Sequence, residues 1–133
     1  MTLQAALVER LATNLKRNGF QVHYRIVPKI AGSTVSEALY ALADPGSVVL
    51  AASPEEPRAR SLLPEVHVTL VREDRVLADL DALLACVARE LPSALAIVSG
   101  PSRSADIEQI LALGVHGPRE EHVVIMPPLD GTV

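Results

Sequence analysis

Residues 94 to 126 constrain the fold most tightly. An apolar run from Ala94 to Ser99 is followed by Gly100-Pro101-Ser102, by a segment of helical periodicity from about Ala105 to Leu113, and by a second apolar run from His122 to Met126. Strand, tight turn, helix and strand in that order form the unit from which parallel sheets are built, because parallel partners need a crossover long enough to carry a helix. Ser47 to Ala51 (SVVLA) is continuously apolar, the pattern of a parallel strand covered on both faces.

The rest of the chain extends this alternation. Leu3, Leu7, Leu11 and Leu15 recur every fourth position with Ala6 and Val8 beside them, which predicts a helix over 3–18 that Gly19 stops. From Gln21 to Val27, apolar Val22, Tyr24 and Ile26 alternate with Gln21, His23 and Arg25, as in an edge strand. Val35, Ala38, Leu39 and Leu42 fit a second helix, capped by Ser33 or Thr34 with Glu37 completing a capping box, and ended by Asp44-Pro45-Gly46. Val66 to Val71 is a strand, and 72–75 a turn leading to Val76-Leu77. Leu80, Leu83, Leu84, Val87 and Leu91 place a helix over 79–90, with Asp79 and Asp81 at its positive end. Residues 52–64 form a surface loop whose Leu62 and Leu63 fold back on the core, and 127–133 form a frayed tail. The expected fold class is α/β, a three-layer α/β/α domain with a mostly parallel sheet.

Composition narrows the function. A chain of 133 residues suits one domain, with 49% apolar and 21% charged residues. Its only aromatic residues are Phe20, Tyr24 and Tyr40, so the core is built from Leu, Val, Ile and Ala. A single cysteine, Cys86, excludes an internal disulfide framework and any zinc or iron–sulfur site made from this chain's thiolates alone, which fits a reducing cytoplasm. On the apolar side of its helix, Cys86 is expected to behave as a small hydrophobe. No apolar run approaches the roughly 20 residues of a membrane span. Residues 1–29 carry Arg10, Lys16, Arg17, Arg25 and Lys29 against Glu9 alone, a local balance of +4 that leaves −8 for the remainder of a chain whose net charge is −4. The basic first helix fits either a solvated face or a dock for an acidic partner. With no basic stripe and few aromatics, nucleic acid is not an expected partner.

Polar residues gather at the turn after the first strand of the 94–126 unit. Gly100 permits a sharp turn and Pro101 fixes φ where no donor is needed, so the following amides can converge on an oxyanion, with hydroxyls from Ser102 and Ser104 and charge from Arg103. The same residues also fit a plain helix start, with Ser104 as cap, Asp106 compensating the dipole and Arg103 in solvent. In the loop Gly114-Val115-His116-Gly117-Pro118-Arg119, His116 fits a proton donor or a surface residue. His67 and His122, both in strands, fit packing better than metal ligation. No metal-ligand spacing, nucleophile elbow, P-loop or dinucleotide fingerprint is present, so no metal or cofactor is expected.

Ser99 to Arg119, SGPSRSADIEQILALGVHGPR, resembles the C-terminal signature of the LUD (lactate-utilisation) family in its LutC/YkgG branch, GPSRTADIE followed by LGVHGP. The resemblance runs more loosely upstream through Asp44 to Leu50 and Ser61 to Val68, over roughly residues 33 to 126. It implies a fold similar to the NagB/RpiA/CoA-transferase-like group. It also implies a part in oxidising L-lactate to pyruvate, in which companion subunits carry the iron–sulfur centres and this subunit carries no redox cofactor. Gly100, Ser102, Arg103, Asp106, Glu108 and His116 match the family by position, Ser104 stands for the usual Thr, and Asp44, Gly46 and Ser47 replace the family's Glu-Thr-Gly-Thr. The resemblance thus places a small-anion pocket between the Gly100–Glu108 loop and the Asp44–Ser47 turn. The alternative is an independent enzyme or ligand-binding protein on the same scaffold, taking a CoA ester, sugar phosphate or related compound. Family members also tend to have a longer N-terminal region.

Overall fold

The computed structural model describes residues 2–51, 66–88, 95–101 and 119–128. Helix α1 spans Leu3–Arg17, and the Thr2 hydroxyl accepts the Ala5 N–H at 3.0 Å to cap it. Lys16 and Arg17 in its last turn suit the negative end of the helix dipole. Four parallel strands make one sheet: β1 (Gln21–Tyr24), β2 (Thr34–Glu37), β5 (Val66–Arg72) and β8 (Glu120–Met126), in the order β1-β8-β5-β2. A second sheet has the order β6-β3-β4-β7, from β3 (Tyr40–Leu42), β4 (Ser47–Ala51), β6 (Val76–Leu77) and β7 (Leu95–Val98). There β3 runs parallel to β6, while β4 is antiparallel to both β3 and β7. Helix α2 (Leu80–Val87) begins at Asp79, whose carboxylate accepts the Ala82 N–H at 3.0 Å.

Most strand pairings are parallel and helices flank them, so the architecture is the α/β one the sequence predicts. The main core lies between the sheets. Leu11, Ala12 and Leu15 of α1 meet Phe20, just before β1, together with Val71, Val123 and Ile125 from the parallel sheet, and Ala41, Val48 and Val76 from the mixed one. Alternation along β3 and β4 sends Leu42 and Val49 to the other side of the mixed sheet, where Leu83 and Val87 of α2 cover them.

Several expectations need correction. Ser47 to Ala51, expected as a parallel strand, is β4 and runs antiparallel to both β3 and β7, and the two strands of the 94–126 unit, β7 and β8, lie in different sheets instead of together in one parallel sheet. Residues 34–42 are not a helix but β2 and β3. The i, i+3, i+4, i+7 spacing of Val35, Ala38, Leu39 and Leu42 is genuine, yet β-branched Thr34 and Val35 pair with β5, and residues 40–42 pair with β4 and β6. Two sets of ladder bonds outweigh the local preference. Glu37 accordingly completes no capping box, and its carboxylate lies 3.9 Å from the Arg72 guanidinium. The first strand stops at Tyr24 rather than Val27, because Arg25 takes φ 65° and the Ile26 N–H donates back to the Tyr24 carbonyl at 2.8 Å. That is a γ-turn of the positive-φ kind, which is rare and strained. Cys86 is exposed instead of packed, since α2 buries only Leu83 and Val87 and leaves Leu80 and Leu84 open. The expected helix over 105–113, the fold-back of Leu62 and Leu63 and the end of the tail lie outside the described residues.

Candidate functional site

The two walls expected from the sequence are neighbours as far as they are described. Pairing of Val48 with Val98 sets β4 beside β7, and the Ser47 and Ser99 hydroxyls lie 3.1 Å apart, one residue before Gly100. The end of α1 holds both. Asn14 Nδ2 donates to the Ala43 carbonyl at 2.7 Å, and Asn18 Nδ2 to the carbonyls of Pro45 and Gly46 at 2.9 Å each. Gly46 and Gly100 are glycines for a reason of space. A Cβ on Gly46 would stand 2.6 Å from Asn14 Cβ, and one on Gly100 2.5 Å from the Asn18 carbonyl oxygen. Asp44 is exposed and 3.5 Å from Arg10, while Ser47 is buried. Ser102, Arg103, Ser104, Asp106, Glu108 and His116 lie outside the described residues.

A second set of polar groups, which sequence reasoning missed, lies on the parallel sheet. Strand β8 carries Glu120, Glu121 and His122 in succession, and alternation sends them to opposite faces. Toward the core, the His67 Nδ1 lies 3.1 Å from Glu121 Oε1 and its Nε2 2.9 Å from the Ser36 hydroxyl. With Glu121 ionised, His67 donates through Nδ1–H and accepts the Ser36 O–H at Nε2. Burial pushes the Glu121 carboxyl above its usual range, against the opposing pull of the His67 hydrogen bond and charge and of the His122 charge. The Thr69 hydroxyl, level with Ser36 on the neighbouring strand, is buried with no partner among the described residues.

On the outer face, His122 Nε2 lies 3.1 Å from Glu120 Oε1, and His122 Nδ1 lies 2.9 Å from His23 Nε2. The two rings stack with centroids 5.1 Å apart. A carboxylate can only accept, so His122 donates through Nε2–H and its Nδ1 accepts the Nε2–H of His23. His23 Nδ1 then holds a lone pair, with no partner among the described residues. Burial lowers the His23 pKa, and the neighbouring His122 lowers it further. The sequence signal for these networks was slight: His67 and His122 stand out as histidines inside apolar strands, but the members of the two networks together come from four separate strands. Both are buried, as the sequence suggests, and hydrogen-bonded as well.

Among the described residues no cluster of three or more His, Cys, Asp or Glu is arranged to hold a metal ion. No described helix is long and apolar enough to cross a membrane.

Fold and polar groups together define an α/β sheet protein with imidazole–carboxylate networks built around one central strand. The chain belongs to the LUD domain family, whose model matches residues 31–126. It is 40% identical over 87 residues to the protein YkgG of Escherichia coli K12, covering 61% of this chain and 38% of that protein. It is 35% identical over 101 residues to lactate utilization protein C of Bacillus licheniformis, covering 71% and 41%. The chain thus spans about two-fifths of the length of these curated relatives. A crystal structure of a DUF162 family protein from Deinococcus radiodurans shares the fold, with a TM-score of 0.66 at 18% identity over 95% of this chain and 99% of that one.

Proposed function

We propose that this chain is the LUD-domain part of a lactate-utilisation system, acting as a LutC-like subunit without a redox centre of its own. The observation that carries the reading is the family match over 31–126 together with relatives named lactate utilization protein C. In this reading, iron–sulfur subunits supply electron transfer, and this chain supplies a small-anion pocket between the Gly100–Glu108 loop and the Asp44–Ser47 turn. The contact between Ser47 and Ser99 supports the placing of the two walls. Arg103 and the amides after Pro101 hold a carboxylate or phosphate there.

The test is a thermal-shift titration with L-lactate, pyruvate, inorganic phosphate and coenzyme A. Ligand at 100 times its dissociation constant adds about 2.7 kcal/mol to stability, which a melting curve resolves. The expected result is stabilisation by lactate or pyruvate that Arg103→Ala abolishes while its ligand-free melting stays that of the parent. Stabilisation by coenzyme A alone favours the independent enzyme on a CoA-transferase-like scaffold. Stabilisation unchanged in Arg103→Ala removes Arg103 from the pocket.

A further inference from the structure

We propose that Glu120, His122 and His23 form a proton relay ending at a binding site for a small hydroxylated anion, whose hydroxyl proton is received by His23 Nδ1. The contacts of 2.9 and 3.1 Å run in one line from an exposed carboxylate through a buried imidazole to a half-buried one. Among the described residues, each ring nitrogen along that line has a partner except the outermost, His23 Nδ1. A hydrogen-bonded pair serving packing alone has no need of a third member.

The proton balance closes within these groups. A ligand O–H transfers its proton to His23 Nδ1, His23 passes its Nε2 proton to His122 Nδ1, and the positive charge comes to rest on the ring in contact with Glu120. The ligand is left as the alkoxide or as a strongly polarised hydroxyl. No bond to carbon changes in this step. Glu120 favours the charged relay, as a carboxylate within hydrogen-bond distance of an imidazolium does.

One feature selects an anion. Arg25, exposed and with no ion pair given by the described residues, follows His23 by two positions at the strained turn ending β1. The other neighbours of the relay are mainly apolar. Register sets Val66 and Val68 of β5 beside Glu120 and His122, and Val124 beside His23. The charged groups around it on the described elements are Arg119, which precedes β8, Arg25, and farther across the same face the pair Glu37 and Arg72. The whole relay terminus lies outside the region 31–126 that the family model matches. It rests on the lactate reading only in that L-lactate is one of the probes.

The experiment is imidazole nitrogen NMR on the full chain, titrated with L-lactate, glycolate, glycerol 3-phosphate and, as the anion lacking a hydroxyl, propionate. At least one hydroxylated anion is expected to move the His23 nitrogens and raise the His23 pKa, with propionate leaving both in place. His23→Gln is expected to weaken that anion by about tenfold or more, and Glu120→Gln to reduce the pKa rise with the remaining amide spectrum unchanged. Because Glu120 is a surface residue, its variant keeps the test open if His23→Gln fails to fold. Response to glycerol 3-phosphate alone upholds the relay and counts against lactate. Lactate binding that leaves His23 unmoved overturns the relay and leaves the lactate reading standing. No response to any hydroxylated anion, or an equal response to propionate, also overturns it.

Discussion

Single residues in this chain are fixed by crowding at one joint and by buried polarity at another. Gly46 has φ 100° and no room for a Cβ against Asn14. Gly46→Ala combines left-handed backbone strain with overpacking, and is expected to cost about 2–4 kcal/mol, read from urea unfolding. Thr69 presents the opposite case. Its hydroxyl is buried with no partner among the described residues, so Thr69→Val is expected to be neutral or to stabilise by about 1 kcal/mol. A loss of that size instead shows that the hydroxyl has a partner in solution.

Glu121 gives stability a pH dependence of definite sign. Its carboxyl is harder to ionise folded than unfolded, so the folded state keeps the extra proton between the two pKa values. Stability therefore falls as pH rises from the ordinary glutamate range through the raised value, and the loss persists above it. His23 contributes the opposite slope at higher pH, since its lowered pKa makes the folded state shed its proton first, and stability rises through the window below the ordinary histidine value. Urea midpoints across the acidic range are expected to decline less steeply in Glu121→Gln than in the parent. Equal slopes contradict this account of Glu121.

Among the elements, α1 divides sharply between faces. Leu11 and Leu15 are fully buried, whereas Leu3 is 78% exposed. Leu15→Ala is expected to cost about 2–5 kcal/mol and Leu3→Ala to stay within about 0.5 kcal/mol, both by denaturant unfolding. That helix was legible because four leucines at constant spacing leave one periodicity open. Strand β4 was legible because its continuous apolar run suits burial on both faces, and β5 and β8 because apolar residues recur in them around the polar His67, Thr69 and His122. Residues 34–42 were not, since four apolar positions at helical spacing also suit two short strands with a break at Ala38 and Leu39. Partners distant in sequence decide between the two. The same limit hid the polar networks, whose members Ser36, His67, Glu121 and His23, His122, Glu120 meet only after the parallel sheet is assembled. The Asp44–Ser47 turn came closer to being read, because its prolyl-glycyl corner marked a bend and its neighbour Ser99 ended a recognisable strand.

At the scale of the molecule, two sheets enclose one core, and the end of α1 pins the turn at 43–46 and the approach to Gly100. Strand β8 carries polar networks to both of its faces. This arrangement puts titratable groups in the middle of a rigid sheet, where geometry is held more firmly than on a loop. The proposed role in lactate utilisation is a claim about assembly, and it is tested most directly by affinity purification of the full chain from its own cells under anaerobic, reducing conditions. The account predicts co-purifying iron–sulfur proteins whose visible absorption bleaches on addition of L-lactate. A chain that purifies alone, with lactate oxidation in the same cells undiminished by its removal, contradicts it.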